Sequence, residues 1–192
     1  VYEWQSSTTS ATSGFSTAPG TATGKNYSPG VLPVTTWFRR LVTSGPCTDY
    51  SATVKITMYQ PLLAGVLSSP AAICYNTAPA TPVSASTAAS GGAGSYTYKW
   101  QSSPDNISWT DISGATGISY LPGTLTSSTY YRRIVTDALC GSATTNSVLL
   151  TVADDFNPGS IASDQTICYN AVPGAFTQTS PTGGLGAYSY RW

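Results

Sequence analysis

Histidine is absent from this 192-residue sequence, and charge is scarce: eight basic and eight acidic residues, 8% of the chain, sum to zero. The first absence removes the commonest general base, the commonest zinc and copper ligand, and every Ser-His or Cys-His pair. The second leaves no strong field to attract nucleic acid or anionic lipid. No apolar run approaches the ~18 residues of a membrane-spanning helix, so no membrane insertion is expected in this segment. No signal peptide is visible either, and Val1-Tyr2-Glu3-Trp4 reads as the middle of a strand. Any targeting sequence is therefore expected to lie outside this stretch.

What is present is Ser and Thr as polar surface, 22 aromatic residues, 18 Gly and 13 Pro. Tyr, Val and Trp favour strands, and Gly and Pro punctuate turns. Recurrent aromatics argue against a disordered tail. The composition predicts an all-β chain.

The chain repeats itself. Trp4-Gln5-Ser6-Ser7 returns as Trp100-Gln101-Ser102-Ser103, and Trp192 begins a third copy. Trp37-Phe38-Arg39-Arg40-Leu41-Val42 matches Tyr130-Tyr131-Arg132-Arg133-Ile134-Val135, and Tyr27-Ser28-Pro29-Gly30 matches Tyr120-Leu121-Pro122-Gly123. Cys47 answers Cys140, and Ile73-Cys74-Tyr75-Asn76 returns unchanged as Ile167-Cys168-Tyr169-Asn170. The glycine-rich Gly91 to Tyr98 stretch recurs as Gly183 to Tyr190. The period is roughly 92–96 residues, the size of one β-sandwich. Boundaries fall best at Tyr59-Gln60-Pro61 and Asp155-Phe156-Asn157-Pro158. One complete module is therefore expected over 61–155. Residues 1–60 would be the C-terminal part of the preceding module, and 156–192 the N-terminal part of the next.

Within the complete module, Tyr96-Thr97-Tyr98-Lys99-Trp100 alternates with the period of a strand buried on one face. Tyr130–Val135 and Ser147–Val152 read as further strands. Shorter ones are expected near Gly65–Leu67, Thr81–Thr87, Trp109–Ile112 and Ile118–Tyr120. About seven short strands predict a two-sheet sandwich with Greek-key connections.

Four cysteines come two per period. Cys74 and Cys140 are the one pair available inside the complete module, and a bridge would close a loop of about 67 residues, contributing up to ~4 kcal/mol. Cys47 and Cys168 would then pair with flanking modules or with each other across subunits. Buried free thiols are the alternative. Paired use without histidine fits an oxidising, extracellular setting.

Read in order, the blocks ICYN, GGAGSYTYKWQSS, WTDISGAT, YLPGTLTSSTYYRRIV, a lone Cys and NSVLLTV resemble the immunoglobulin-like or PKD-like repeats of Bacteroidota. The resemblance covers essentially the whole chain. It implies tandem immunoglobulin-like β-sandwich repeats of about 94 residues, in very large surface proteins exported by the type IX secretion system, including gliding-motility adhesins. It further implies a secreted, cell-surface location and an adhesin or filament role, not a catalyst. The first repeat departs from the pattern at Gly14-Phe15, where the second has Ser108-Trp109, and at Trp37-Phe38; both changes keep aromatic size.

No catalytic, cofactor-binding or metal-ligating residue is expected. Trp4, Trp100, Trp192, Tyr98 and Tyr130 are read as core or structural, Tyr130 as a tyrosine corner. Tyr96, Tyr98 and Trp100 share one face; a glycan platform is the alternative to core filling. Arg132 and Arg133 point to opposite sides of their strand, one toward the core and able to stack on Trp100, the other toward solvent. Calcium at Asp154 and Asp155 could stiffen a module junction, but the matching junction at Met58-Tyr59-Gln60-Pro61 has no carboxylate. Partners are expected to be neighbouring modules of the same or an adjacent chain, and surface glycans or substratum. Three roles follow: a stalk of a surface adhesin or filament, a carbohydrate-binding array on a secreted hydrolase, or a fibre subunit completing modules between chains. The carbohydrate reading predicts exposed aromatics at Tyr27, Phe15 or Trp109.

Overall fold

The computed structural model describes residues 1–191; Trp192 lies outside the described residues. Among the described residues there are sixteen strands and no helix, and every strand ladder is antiparallel. Short, Ser/Thr- and aromatic-rich segments broken by Gly, Pro and Asn leave no stretch long enough to sustain a helical stripe. Two compact units result: Val1–Pro61 with Gly91–Ala93, and Leu62–Ser90 with residues 94–191.

The first unit holds β1 (Tyr2–Ser7), β2 (Ser16–Thr17), β3 (Thr36–Ser44), β4 (Cys47–Tyr50) and β5 (Val54–Ile56) in one sheet. Its central pair, β1 and β3, sets Trp4 opposite Arg40 and Ser7 opposite Trp37. Ala18, Ala22 and Phe38 form a small buried cluster, with Trp4, Tyr27 and Leu32 packed against it.

The second unit begins with β6 (Val66–Leu67) and β7 (Ala85–Thr87), which pair as a ribbon. A five-stranded sheet follows, from β8 (Tyr96–Ser103), β9 (Thr110–Asp111), β10 (Thr129–Asp137), β11 (Gly141–Thr144) and β12 (Val148–Leu150). Strands β8 and β10 set Trp100 opposite Arg133 and Ser103 opposite Tyr130. That is the register of the first unit residue for residue, since the same alternation of apolar and polar positions fixes it. The main core, Leu67, Val83, Trp100, Tyr131, Val148 and Leu150, joins the ribbon to this sheet. Such an arrangement is consistent with a β-sandwich.

The unit ends with β13 (Asp154–Asn157), β14 (Ser160–Ala162), β15 (Thr177–Thr179) and β16 (Thr182–Gly184), in two pairs. These repeat the opening ribbon. Asn157 faces Thr182 as Leu63 faces Ser90. Glycine is required at the same two places. A Cβ on Gly91 would lie 2.0 Å from the Pro61 carbonyl oxygen, and one on Gly183 2.0 Å from that of Asp155; both have φ above +70°. Asn76 and Asn170, ending the two Ile-Cys-Tyr-Asn motifs, both hold left-handed backbone at φ 57° and 61°, which Asn tolerates better than branched residues.

The strands expected at Tyr96–Trp100 and Tyr130–Val135 are present as β8 and β10, and the one expected over Ser147–Val152 is the shorter β12. The expectations at Gly65–Leu67, Thr81–Thr87 and Trp109–Ile112 reduce to the two- or three-residue β6, β7 and β9. Tyr120 makes a single bridge to Val83 instead of a strand.

Candidate functional site

The most elaborate side-chain constellation is built on adjacent central strands. Trp100 on β8 is fully buried, and its indole Nε1 donates to the Gly117 carbonyl at 2.9 Å. Arg133, opposite it on β10, is 1% exposed. Its guanidinium carbon lies 4.8 Å from the Tyr98 ring centre and 5.9 Å from that of Trp100. One terminal nitrogen donates to the Ile118 carbonyl, the other to the Ala64 carbonyl at 3.2 Å. Nε has no partner. Burial pushes the guanidinium pKa down, with Tyr98 opposing; the charge is held by ring faces and carbonyl dipoles. Tyr120 and Tyr131 close the cluster with ring centres 5.7 Å apart. Burial, with Tyr120 beside it, raises the Tyr131 phenol to about 12, so it stays neutral at physiological pH.

The first unit repeats this chemistry. Trp4 Nε1 donates to the Gly24 carbonyl at 3.0 Å, and Arg40 Nη1 to the Lys25 carbonyl at 3.1 Å. The Arg40 guanidinium lies 4.9 Å from the Tyr2 ring centre and 5.7 Å from that of Trp4. Its Nε is likewise unpartnered.

Arg132 corrects one expectation. It is half-buried instead of solvent-facing, because its guanidinium lies 4.1 Å over the Trp109 ring and its Nε donates to Gln101 at 2.7 Å. Its counterpart Arg39 caps Phe15 at 4.1 Å and Tyr50 at 3.8 Å, and donates to Gln5 at 2.9 Å. The loop aromatics that a sugar would need thus carry an arginine on one face, and Tyr27 packs against the first unit's core. Tyr96 and Tyr98 do share the Trp100 face, half-buried beside it. Tyr130 is the second residue of β10, half-buried, and pairs with Ser103 on one side and Leu149 on the other.

The cysteines give a second correction. All four are free and exposed, and Cys74 is not bonded to Cys140. The reason is topological. Ile73, beside Cys74, bridges Val152 near the Thr129 end of β10, whereas Cys140 lies in the turn after Asp137 at its other end. Nine residues of strand span roughly 26 Å between first and last Cα, while a disulfide needs Cα atoms within about 7 Å. Cys47 sits on the matching turn of the first unit, opposite Ser44. Cys168 lies in the exposed Ile-Cys-Tyr-Asn turn.

Two buried or bridging polar residues escaped the sequence reading. Asp137, 1% exposed, accepts from the Leu139 and Cys140 amides at 3.0 and 2.9 Å and so shapes the cysteine turn. Asn146 clamps the ribbon: its Oδ1 accepts from Leu67 N at 2.7 Å, and its Nδ2 donates to Leu67 O at 3.1 Å. Neither has a motif of its own; only their turn contexts, Asp-Ala-Leu-Cys-Gly and Thr-Asn-Ser, hint at them.

Asp154 and Asp155 lie exposed on β13. No group of three or more His, Cys, Asp or Glu able to hold a metal occurs among the described residues. Nor is any helix there long and apolar enough to cross a membrane.

Comparison with family models matches residues 1–60 and 63–154 to the domain of unknown function DUF8696. The chain belongs to the DUF8696 family. No curated protein matches it. Each of the two DUF8696 stretches contains one Trp–Arg pair, one indole-to-carbonyl bond and one hairpin-turn cysteine. The family therefore coincides with the part of the chain in which that constellation occurs twice.

Proposed function

We propose that this DUF8696 chain is a structural repeat, a stalk or spacer, of a large secreted cell-surface adhesin or extracellular filament. The carrying observation is the duplicated Trp–Arg constellation, buried in the second unit and half-buried in the first. Trp4 with Arg40 and Trp100 with Arg133 occupy one register and make the same bonds. A catalytic or ligand site needs a concave surface with convergent polar groups. Here the elaborate chemistry is spent inward on holding two strands and a connecting loop together. Each module, on this reading an immunoglobulin-like sandwich of about 94 residues, buries its own core, and successive modules give reach. The motif order supports a Bacteroidota surface protein exported by type IX secretion.

A carbohydrate-binding array is the less favoured reading, because Phe15 and Trp109 already carry guanidinium groups. The test uses the native protein. Antibodies raised against residues 62–155 should label intact, unpermeabilised cells, and mild protease shaving should remove the label. Labelling confined to permeabilised cells would overturn the surface role.

A further inference from the structure

Each unit carries a second arginine on the outer face of its sheet, used differently from the inner one. Arg40 and Arg133 spend terminal nitrogens on loop carbonyls. Arg39 and Arg132, one residue earlier and so on the opposite face, are held through Nε and a ring. Arg132 donates from Nε to Gln101, its cross-strand neighbour, at 2.7 Å, and its guanidinium lies 4.1 Å over the Trp109 ring. Arg39 donates from Nε to its own cross-strand neighbour, Gln5, at 2.9 Å, with Phe15 at 4.1 Å and Tyr50 at 3.8 Å. The glutamines are themselves fixed, Gln101 donating to Asp111 at 2.6 Å and Gln5 to Glu3 at 3.4 Å. Those carboxylates are engaged elsewhere, Asp111 by Lys99 and Glu3 by the Thr17 hydroxyl, each at 2.8 Å. Among the described residues neither outer arginine forms an ion pair.

The terminal nitrogens are what remains. On Arg39 and Arg132 they have no partner among the described residues, and they are not buried. A guanidinium pinned through Nε and one face has its terminal edge left to offer: two parallel N–H groups in a fixed plane, the fork that a planar carboxylate matches. Rigidity in advance removes much of the ordering cost of binding. The arginines that deny a sugar the ring faces thus present a donor edge instead. In the second unit Leu67 and Val83 cover Trp100 on the other face of the same sheet, so the outer fork stands beside a core already closed.

We propose that Arg39 and Arg132 are carboxylate-binding forks, one per repeat, for the uronate groups of an acidic polysaccharide. Three features favour a polymer of sugar acids. A fork on a sheet face takes a pendant group of an extended chain. It recurs once per unit, so weak single contacts add along one polymer. An aromatic side chain borders each fork, Tyr50 at 49% exposure and Trp109 half-buried, and offers apolar contact to sugar C–H groups. The site rests on the surface reading above only for where such a polymer is met.

The test is titration of the full chain with oligogalacturonate, followed by calorimetry and by the side-chain Nε–H signals of Arg39 and Arg132 in NMR. Both signals should shift and saturate. The fully methyl-esterified oligomer, which keeps the sugar and loses the carboxylate, should leave them unmoved. Arg39→Lys combined with Arg132→Lys keeps the net charge and removes both forks, so binding should weaken roughly tenfold per fork, with a melting curve showing that the variant is folded. Lys25→Gln, which removes an exposed charge beside the inner Arg40, should bind as the parent does. Unmoved arginine signals at high oligomer, equal binding of the methyl ester, or unchanged affinity of the double lysine variant would overturn the proposal. So would an equal response to poly-glutamate, which would assign the forks to an acidic protein. Absent binding with intact surface labelling of cells would sink the forks and leave the stalk reading standing; binding without surface labelling would do the reverse.

Discussion

Asn146 and Asp105 illustrate how much a turn residue decides here. Asn146 satisfies both backbone groups of Leu67, so Asn146→Ala leaves a donor and an acceptor short at the edge of the core. Leaving such groups unsatisfied costs about 1–3 kcal/mol, and a thermal or urea melt should register that loss. Asn146→Asp keeps the acceptor and loses the donor, so it should fall between the two. Asp105 accepts from the Ile107 and Ser108 amides at 2.9 and 2.7 Å and from the Ser103 hydroxyl at 2.9 Å. These bonds, Ser108's first, lower its carboxyl to about 2. A depressed folded-state pKa means that the stabilisation is complete above the unfolded value near 3.8 and is lost as pH falls through about 2. The Asp105 carboxyl, followed by NMR, should therefore titrate with a midpoint near 2, with the Ile107 and Ser108 amide resonances shifting alongside it. A midpoint at the unfolded value near 3.8 would contradict that account.

Among the elements, the central strands were the most legible from sequence. The alternation Tyr96, Tyr98, Trp100 and the Tyr-Tyr-Arg-Arg-Ile-Val run announce one buried face each, and β8 and β10 carry them with Trp100 and Arg133 inside. Arg132 was misjudged because nothing in a strand pattern reveals a loop residue, Trp109, folding back over it. The Cys74–Cys140 bridge was misjudged for a related reason: spacing counts residues, not which end of a strand each turn reaches. The glycine-rich turns were legible as turns, but not their close approach to the chain at Pro61 and Asp155. That approach gives a prediction. Gly91→Ala drives a Cβ into the Pro61 carbonyl at positive φ, where an L-residue costs about 1–2 kcal/mol before any clash. The melting temperature should fall more for Gly91→Ala than for Gly114→Ala, whose Cβ meets nothing within 4 Å at a comparable φ of +73°. Equal losses would mean that backbone conformation alone decides.

At the scale of the whole molecule, repetition is the property that connects sequence to use. The same register, the same indole-to-carbonyl bond and the same arginine stack occur in both units, and the ribbon geometry occurs at both ends of the second. An array built this way should resist load one module at a time, since each module carries its own long central pair of strands. The most direct measurement is single-molecule stretching of the native protein. Equally spaced unfolding peaks, each releasing roughly 30 nm for a module of about 94 residues at the reach of an extended chain, are the expected result. Irregular spacing, or one release of the whole length, would contradict a spacer made of independent repeats.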